Sequence, residues 1–468
     1  MISKYATMRH LRITLTQVVL SLLCSLVSIT GFARTVSSKT ALASYINNND
    51  KSFVWQVTDS MQTEAVNVYR LRLVSQTWRQ IPWIHEMEII VPRQLEYSDA
   101  LLFVSGGSLG KESQEPNLHG WDDYVIKAMS QIASDCHAVT AIIWQVPRQP
   151  LFNGLFEDEI VSYTFHHFLE DHDYTWPLLF PMAKSAIRAM DAVQEFANNK
   201  KIAQTPQNFL ISGFSKRGWT SWMAAATGDK RIKAIAPAVI DILNMPVNVP
   251  YQKHMYGSYS VQIQDYVKLG ITEAFQNSHG SELKNMIDPY SYRKSIKIPK
   301  LLLLGTNDEY WTVDAVKNYL YGLKGTTLIN YTPNTGHSLG DKVAAFSTLE
   351  SFFWQTINNV KYTTFKSSVR QSGKEIMLKF KSSNTPEEVI LWEAESTNRD
   401  FRKSEFKSKK IDLPASNNKV IVSLPNSNYK AFFVMAKYKN PVSNTFYTLT
   451  SRMYFCDSTK LYDKPYKP

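Results

Sequence analysis

Between about residue 66 and residue 358, short runs of apolar and β-branched residues alternate with segments of helical periodicity. This alternation constrains the fold most, because strands that are joined by helices form a mostly parallel sheet with helices packed on its faces. The runs "NVYRLRLVSQTW" and "HEMEIIVP" are predicted to form an antiparallel pair that leads into the sheet. Later strands are expected in "ALLFVSGG", "VTAIIWQVP", "QNFLIS", "RIKAIAPAVID", "KIPKLLLLGTND" and "TTLINYTPNTGH", with a terminal helix in residues 340–357. The sequence therefore predicts a large domain of the α/β class.

The pattern changes after Asn358, where short strand-like segments are separated by Asn, Ser and Pro residues and no helical periodicity is evident. This pattern is typical of a small antiparallel sandwich, which we assign to residues 359–468. The α/β domain is assigned to residues 34–358. Its insertion at about 148–175 is rich in aromatic, histidine and acidic residues, and we expect it to be irregular.

The first 33 residues have the pattern of a secretory signal peptide. Three basic residues precede an uncharged run from Ile13 to Ala33, which contains "LTQVVLSLLCSLV" and ends in small residues. This pattern predicts cleavage after Ala33 and a secreted or periplasmic protein. An uncleaved anchor stays open as the alternative, because the run is almost long enough to span a bilayer. No later run has spanning length, so we expect no stable membrane insertion after cleavage.

The charge and the cysteines exclude several classes of protein. Without residues 1–33, the chain has 49 Lys and Arg residues against 41 Asp and Glu residues, and the lysines are scattered without a nucleic-acid-binding motif. We therefore expect no nucleic-acid partner. Only Cys136 and Cys456 remain, so the protein is not a disulfide scaffold, and whether the two pair stays open.

Several histidines and acidic residues cluster in "FHHFLEDHDYTWP". Adjacent histidines such as His166 and His167 diverge on a helix, and the chain has no H-E-x-x-H motif, so we expect a substrate-contacting segment rather than a metal site. No cofactor is predicted.

A candidate nucleophile is found in "ISGFSKRGWTSW", where a predicted strand ends at Ser215 and a helical segment follows. A serine between a strand and a helix is the nucleophile elbow of α/β-hydrolases, whose sharp turn requires small residues two positions to either side. Gly213 satisfies the first requirement. Arg217 departs from the second, and Gly218 follows one position later.

A nucleophilic serine requires a general base, and the base requires an orienting carboxylate. Asp308 follows the strand "LLLLG", and His337 follows the next strand, which matches the Ser, Asp, His order of α/β-hydrolases. Both loops are expected at the same edge of the sheet as Ser215. Asp241, at the end of "APAVID", is kept as an alternative acid.

Acyl transfer also requires hydrogen-bond donors for a developing oxyanion. The backbone N–H of Lys216, directly after Ser215, is one candidate. The second is expected from the loop after "LLFV", where Gly106 and Gly107 allow close approach of the backbone.

The strings "DYTWPLLFPMAKSAIRAMDAVQEF", "ISGFSKRGWTSW", "IAPAVIDILNM", "MYGSYSVQIQDY" and "PNTGHSL" resemble the PhoPQ-activated pathogenicity-related protein family. The resemblance covers most of residues 45–455 and implies an α/β-hydrolase fold of the kind found in serine peptidases and esterases. It places the nucleophile at Ser215, the acid at Asp308 and the base at His337. It also implies that Lys-Arg is a family variant of the elbow, in which Gly218 replaces the usual glycine. A link to virulence is implied by the family alone.

These features favour a secreted serine hydrolase that cleaves ester or amide bonds, including peptide bonds, in a small-molecule or peptide substrate. The alternative is a catalytically silent protein of hydrolase fold that acts in signalling or in binding to a host. The choice between peptidase and esterase and the oligomeric state stay open.

Overall fold

The computed structural model describes residues 36–412 and 418–468, so the predicted signal peptide lies outside the described residues. A nine-stranded sheet forms the centre of the α/β region, with the strand order β1-β2-β3-β5-β4-β6-β7-β8-β9. Its strands are β1 (Val54–Gln62), β2 (Val66–Trp78), β3 (Ile81–Pro92), β4 (Asp99–Val104), β5 (Val139–Ile143), β6 (Asn208–Phe214), β7 (Ile232–Ala238), β8 (Lys300–Gly305) and β9 (Thr327–Thr332).

The strands from β5 to β9 along this order are parallel to one another, and β1, β2 and β3 are added antiparallel at one edge. The parallel strands are nearly continuous apolar runs because helices cover both of their faces. Leu101 of β4 packs in the core on one face of the sheet, and the next residue, Leu102, packs in the core on the other. The α/β-hydrolase fold class is confirmed.

The α-helices of the described residues are α1 (Ala41–Ile46), α2 (Tyr124–Cys136), α3 (Glu157–Asp171), α4 (Leu179–Asn199), α5 (Lys216–Ala226), α6 (Met245–Tyr256), α7 (Gln264–Lys268), α8 (Ile271–Ala274), α9 (Ser281–Ile287) and α10 (Val343–Ile357). The insertion at 148–175 is not irregular as expected, because it contains the four-turn helix α3. The buried residues Ile160, Thr164 and Phe168 recur every four positions, so one face of α3 packs into the core.

The C-terminal strands are β10 (Phe365–Ser372), β11 (Glu375–Ser382), β12 (Glu388–Ser396), β13 (Lys407–Ile411), β14 (Lys419–Ser423), β15 (Tyr429–Lys439), β16 (Phe446–Thr450) and β17 (Tyr454–Cys456). They form two antiparallel sheets, β10-β11-β14 and β13-β12-β15-β16, with β17 paired to β15. The second sheet is covered on both faces. Phe432 packs in one core cluster with Ile376 of the first sheet, while the Phe433 ring lies 5.6 Å from that of Tyr331 on β9.

Cys136 and Cys456 are both buried and both free, so the pairing that the sequence left open is not formed. In the part of the chain that the structure describes, no helix combines the length and the apolar character needed to cross a membrane.

Candidate active site

Ser215 lies at the tip of the turn between β6 and α5, with φ 57° and ψ −124°. An L-residue rarely adopts a positive φ, so the surrounding structure must hold this conformation. Gly213 makes the tight turn possible. A Cβ on Gly213 would lie 2.7 Å from both the Val104 carbonyl oxygen and the Arg217 Cβ, closer than non-bonded carbon and oxygen atoms approach. Only glycine therefore fits two residues before Ser215.

A Cβ on Gly218 would lie 2.8 Å from the carbonyl oxygen of Ala238 on β7 and 3.0 Å from the carbonyl oxygen of Gly213. Gly218 therefore lets α5 pack closely against both the neighbouring strand and the turn before Ser215. That Gly218 takes the place of the usual elbow glycine stays an implication of the family resemblance. Arg217 occupies the position two residues after the serine, with its Cβ beside Gly213.

The structure brings Ser215, His337 and Asp308 together in one hydrogen-bonded chain. His337 Nε2 lies 2.8 Å from Ser215 Oγ, and His337 Nδ1 lies 2.9 and 3.0 Å from the two carboxylate oxygens of Asp308. Asp308 follows β8 and His337 follows β9, so both side chains lie at the carboxyl edge of the parallel strands, where Ser215 also lies. In this arrangement the imidazole can accept the serine proton while the carboxylate holds its other nitrogen as a donor.

The environment of Asp308 aligns it with the imidazole. Its Oδ1 also accepts a hydrogen bond of 2.9 Å from the Tyr310 backbone N–H. Burial raises the pKa of Asp308, while the hydrogen bond and charge of His337 oppose that rise. The backbone N–H of His337 donates to Glu309 Oε2 at 2.9 Å, and the Tyr310 ring lies 4.2 Å from the imidazole ring. The histidine is thus held through its backbone, its Nδ1 and its ring face.

Asp241, the alternative acid, takes another position. It is buried and lines a small cavity together with Asp308, but its Oδ1 has no hydrogen-bond partner among the described residues. His337 is bonded to Asp308 rather than to Asp241. Burial, with a contribution from the nearby charge of Asp308, raises the pKa of Asp241 to about 8. The geometry therefore favours Asp308 as the partner of the imidazole.

The predicted oxyanion donors, Lys216, Gly106 and Gly107, differ in their position relative to Ser215. Lys216 is the first residue of α5, where backbone N–H groups have no partner within the helix and the helix dipole favours negative charge. Gly106 lines one cavity with Ser215 and His337. Gly107 is absent from the described lining of both cavities that contain Ser215, and its carbonyl accepts a hydrogen bond from Gln149. Gly106 is therefore better placed than Gly107.

The side chains of Lys216 and Arg217 are held by two acidic residues at the start of α3. Arg217 forms a bidentate pair with Glu157 at 2.9 and 2.6 Å, and Lys216 Nζ lies 2.8 Å from Asp158 Oδ2. Burial alone would raise the pKa of Glu157, but the charges of Arg217 and Lys216 lower it to about 2. The Lys-Arg pair that follows Ser215 thus anchors the insertion beside it.

The adjacent histidines of the insertion, His166 and His167, lie on α3 and contact neighbouring side chains. His167 Nδ1 lies 3.0 Å from Glu170, and its ring stacks on Trp176 at 4.6 Å. His166 Nε2 lies 3.3 Å from the same carboxylate. Among the described residues, no group of histidine, cysteine and acidic side chains is arranged to hold a metal ion.

Two cavities meet at Ser215. The inner cavity is narrow and is roofed by the short helices between β7 and β8, a segment that we did not assign from the sequence. Its lining consists of Asp158, Ser215, Lys216, Trp219, Ile240, Ile242, Met245, Val249, Ile263, Tyr266, Thr272, Phe275, Tyr310 and Trp311. The outer cavity is open to solvent and is lined by Phe103, Val104, Ser105, Gly106, Tyr124, Phe214, Ser215, Arg217, His337, Ser338 and Lys342.

The C-terminal part of the chain holds the loops that carry Asp308 and His337. Residues 401–406, which we call the clamp segment, lie between β12 and β13. Asn307 Nδ2 donates to the carbonyls of Phe401 and Ser404 at 2.9 and 2.7 Å. Asn334 Nδ2 donates to the Phe406 carbonyl at 2.9 Å and its Oδ1 accepts from the Phe406 N–H at 2.7 Å. These contacts were not predicted, because the sequence does not indicate which loop meets the clamp segment.

The fold and the site define a protein of the α/β-hydrolase class with a Ser-His-Asp constellation at the carboxyl edge of its sheet. The chain belongs to the PhoPQ-activated pathogenicity-related protein family, whose model matches residues 42–402. It is 30% identical over 448 residues to the autocrine proliferation repressor protein A of Dictyostelium discoideum, with 88% of each chain covered.

Solved structures are more distantly similar. An acetyl xylan esterase from Paenibacillus sp. R4 is 13% identical, covers 65% of this chain and 90% of its own, and has a TM-score of 0.44. An S-formylglutathione hydrolase from Agrobacterium tumefaciens is 10% identical, covers 64% and 99%, and has a TM-score of 0.43. Likeness at this level says nothing about the substrate of the present chain.

Proposed function

We propose that this chain is a secreted serine hydrolase that cleaves ester or amide bonds, including peptide bonds, through an acyl-enzyme on Ser215. The observation that supports the proposal most is the continuous chain of hydrogen bonds from Ser215 Oγ through the imidazole of His337 to the carboxylate of Asp308. A serine hydroxyl becomes an effective nucleophile when a positioned base can accept its proton.

In the first step, His337 Nε2 accepts the proton of Ser215 as Oγ forms a bond to the substrate carbonyl carbon. The imidazolium is stabilised by Asp308, and the oxyanion accepts hydrogen bonds from the Lys216 N–H and the Gly106 N–H. The bond to the leaving group then breaks, and His337 returns the proton to the departing oxygen or nitrogen. A water molecule, deprotonated by His337, attacks the acyl-enzyme and regenerates the Ser215 hydroxyl.

A fluorophosphonate probe tests the proposal, because it reacts with activated serines. The full chain is expected to be labelled and Ser215→Ala is not, with turnover of acyl esters reduced by roughly 10⁴-fold or more. Ser221→Ala provides a matched control, because Ser221 is also on α5 and its hydroxyl donates only to the Arg217 carbonyl. Undiminished turnover in Ser215→Ala would contradict the proposal.

The alternative function is a secreted signalling or host-binding protein without turnover. It is favoured by the name of the Dictyostelium relative, a proliferation repressor, and by the description of the family as pathogenicity-related. A biological effect that persists in Ser215→Ala, in a protein whose wild type is not labelled, would support this alternative.

A further inference from the structure

Ser215 lies between two cavities of different chemistry. The inner cavity is lined mostly by apolar and aromatic side chains, most of them buried, and its other members are Ser215, Lys216, Asp158 and Thr272. Ten of its fourteen lining residues are apolar or aromatic, among them Trp219, Ile240, Met245, Tyr266, Phe275 and Trp311. The outer cavity contains the imidazole of His337, the Ser338 side chain and Lys342.

The position of His337 indicates which cavity would hold the acyl part of a substrate and which would hold its leaving group. In acyl transfer the imidazole protonates the leaving group, so the leaving group must lie on the side of the serine to which the imidazole is open. His337 lines the outer cavity, whereas the described lining of the inner cavity does not include it. The leaving group therefore belongs in the outer cavity, and the inner cavity is left for the acyl part.

We infer that the substrate carries a compact apolar acyl group, aliphatic or aromatic, that binds in the inner cavity beneath the roof formed by α6, α7 and α8. This inference rests on the proposed function and adds the substrate class to it. The wall residues give an apolar acyl group many contacts. A charged or strongly hydrated acyl group would lose its water there without gaining hydrogen bonds in return. Asp158 does not change this, because its carboxylate already accepts from Lys216 and from the hydroxyl of Tyr266 at 2.8 Å.

The inner cavity is small, so the preference of the enzyme should rise with the length of the acyl chain and then fall. Each methylene that enters an apolar cavity contributes about 0.8 kcal/mol, which corresponds to roughly a fourfold increase in kcat/KM. We expect hexanoyl esters to be cleaved at least tenfold more efficiently than acetyl esters, and dodecanoyl esters less efficiently than hexanoyl esters.

The test measures kcat/KM for p-nitrophenyl acetate, butyrate, hexanoate and dodecanoate with the full chain. The hexanoate-to-acetate ratio is the readout, because it is independent of the fraction of protein that is folded. Val249→Phe adds bulk to the wall and should lower this ratio at least tenfold. Val261→Phe adds the same bulk on the exposed surface of the roof and should leave it unchanged. Phe275→Ala enlarges the cavity and should shift the optimum to longer chains.

The outcomes separate this inference from the proposed function. Labelling of Ser215 by the fluorophosphonate with a flat chain-length profile, or with a ratio that Val249→Phe and Phe275→Ala do not change, would overturn the apolar acyl assignment alone. A preference for acetyl or dodecanoyl esters would overturn it as well. Absence of labelling and of ester turnover in the wild type would overturn both.

Discussion

At the scale of single residues, the site depends on a serine whose backbone has a positive φ and on two neighbours that make room for it. Gly213 lets the chain turn under Ser215, and Gly218 lets α5 approach β7. The serine hydroxyl is thereby presented at the end of β6, where the imidazole of His337 meets it at 2.8 Å. Two acidic residues compete for the role of its partner, and only Asp308 contacts it.

Asp308→Asn is expected to lower kcat by about 10⁴-fold, because an amide at this position favours the wrong tautomer of the imidazole. Asp241→Asn is the matched control, since Asp241 lines the same small cavity without a bond to His337. Its kcat should stay within tenfold of the wild type. Steady-state turnover of an acyl ester measures kcat for both variants. A larger loss of kcat in Asp241→Asn than in Asp308→Asn would identify Asp241 as the acid that supports His337.

Asp241 also has a predictable effect on stability. Its pKa is raised from 3.8 to about 8 by burial, so between these values the folded state retains a proton that the unfolded state releases. The free energy of unfolding therefore decreases as the pH rises through this range, and Asp241→Asn removes the decrease. The difference in Tm, variant minus wild type, should grow from pH 4 to pH 8. A pH-independent difference would show that Asp241 is ionised in the folded protein.

At the scale of elements, two segments that are distant in sequence hold the residues around Ser215 and the proposed catalytic loops, which carry Asp308 and His337. The start of α3 holds Lys216 and Arg217 through Asp158 and Glu157, and the clamp segment holds the loops after β8 and β9. Both contacts connect an element outside the central sheet to a residue within three positions of Ser215, Asp308 or His337. The geometry of the site is therefore set by the packing of these elements as well as by the sheet.

Asn307→Ala is expected to loosen the loop that carries Asp308 and to lower kcat by up to about 100-fold, because small displacements of a catalytic group have large effects on rate. Asn330→Ala is the matched control. The Asn330 side chain also donates two bonds to the C-terminal part, at the carbonyl and hydroxyl of Thr448, but it lies on β9 outside the catalytic loops.

Both asparagine variants should lose about 1–3 kcal/mol of stability, and only Asn307→Ala should slow fluorophosphonate labelling. Thermal unfolding and labelling rates, measured on the same samples, separate the two effects. Equal labelling rates in the two variants would mean that the clamp segment supports the fold without positioning Asp308.

At the scale of the whole molecule, the C-terminal sheets are integrated with the α/β region. The second sheet is covered on one face by the first sheet and on the other by residues such as Tyr331 of the α/β region. Residues Ser38–Pro468 accordingly form one compact unit by their contacts. The C-terminal sheets therefore support the α/β region by packing against it, and any binding function of these sheets would be in addition to that packing.

Removal of residues 360–468 is therefore expected to abolish labelling of Ser215 and to give an aggregating protein, because it exposes an apolar face and removes the clamp segment. Gel filtration, circular dichroism and labelling of the truncated chain would measure this. A monomeric, folded and labelled truncated chain would contradict the expectation and would identify the C-terminal sheets as an independent module.

The sequence by itself was enough to predict the α/β-hydrolase class, the C-terminal antiparallel strands and the residues Ser215, Asp308 and His337. These predictions depend on local signals, since apolar periodicity identifies strands and parallel strands end at one edge of a sheet. Their catalytic roles stay predictions that the experiments above test.

Only the tertiary structure decided that His337 pairs with Asp308 instead of Asp241, that Gly218 packs against β7, and that the acids of α3 hold Lys216 and Arg217. It alone revealed the roof between β7 and β8 and the contact of Asn307 with the clamp segment. The physical reason is that each of these contacts joins residues far apart in the chain. Their partners are selected by the packing of the whole molecule, and no periodicity or spacing in the sequence encodes that selection.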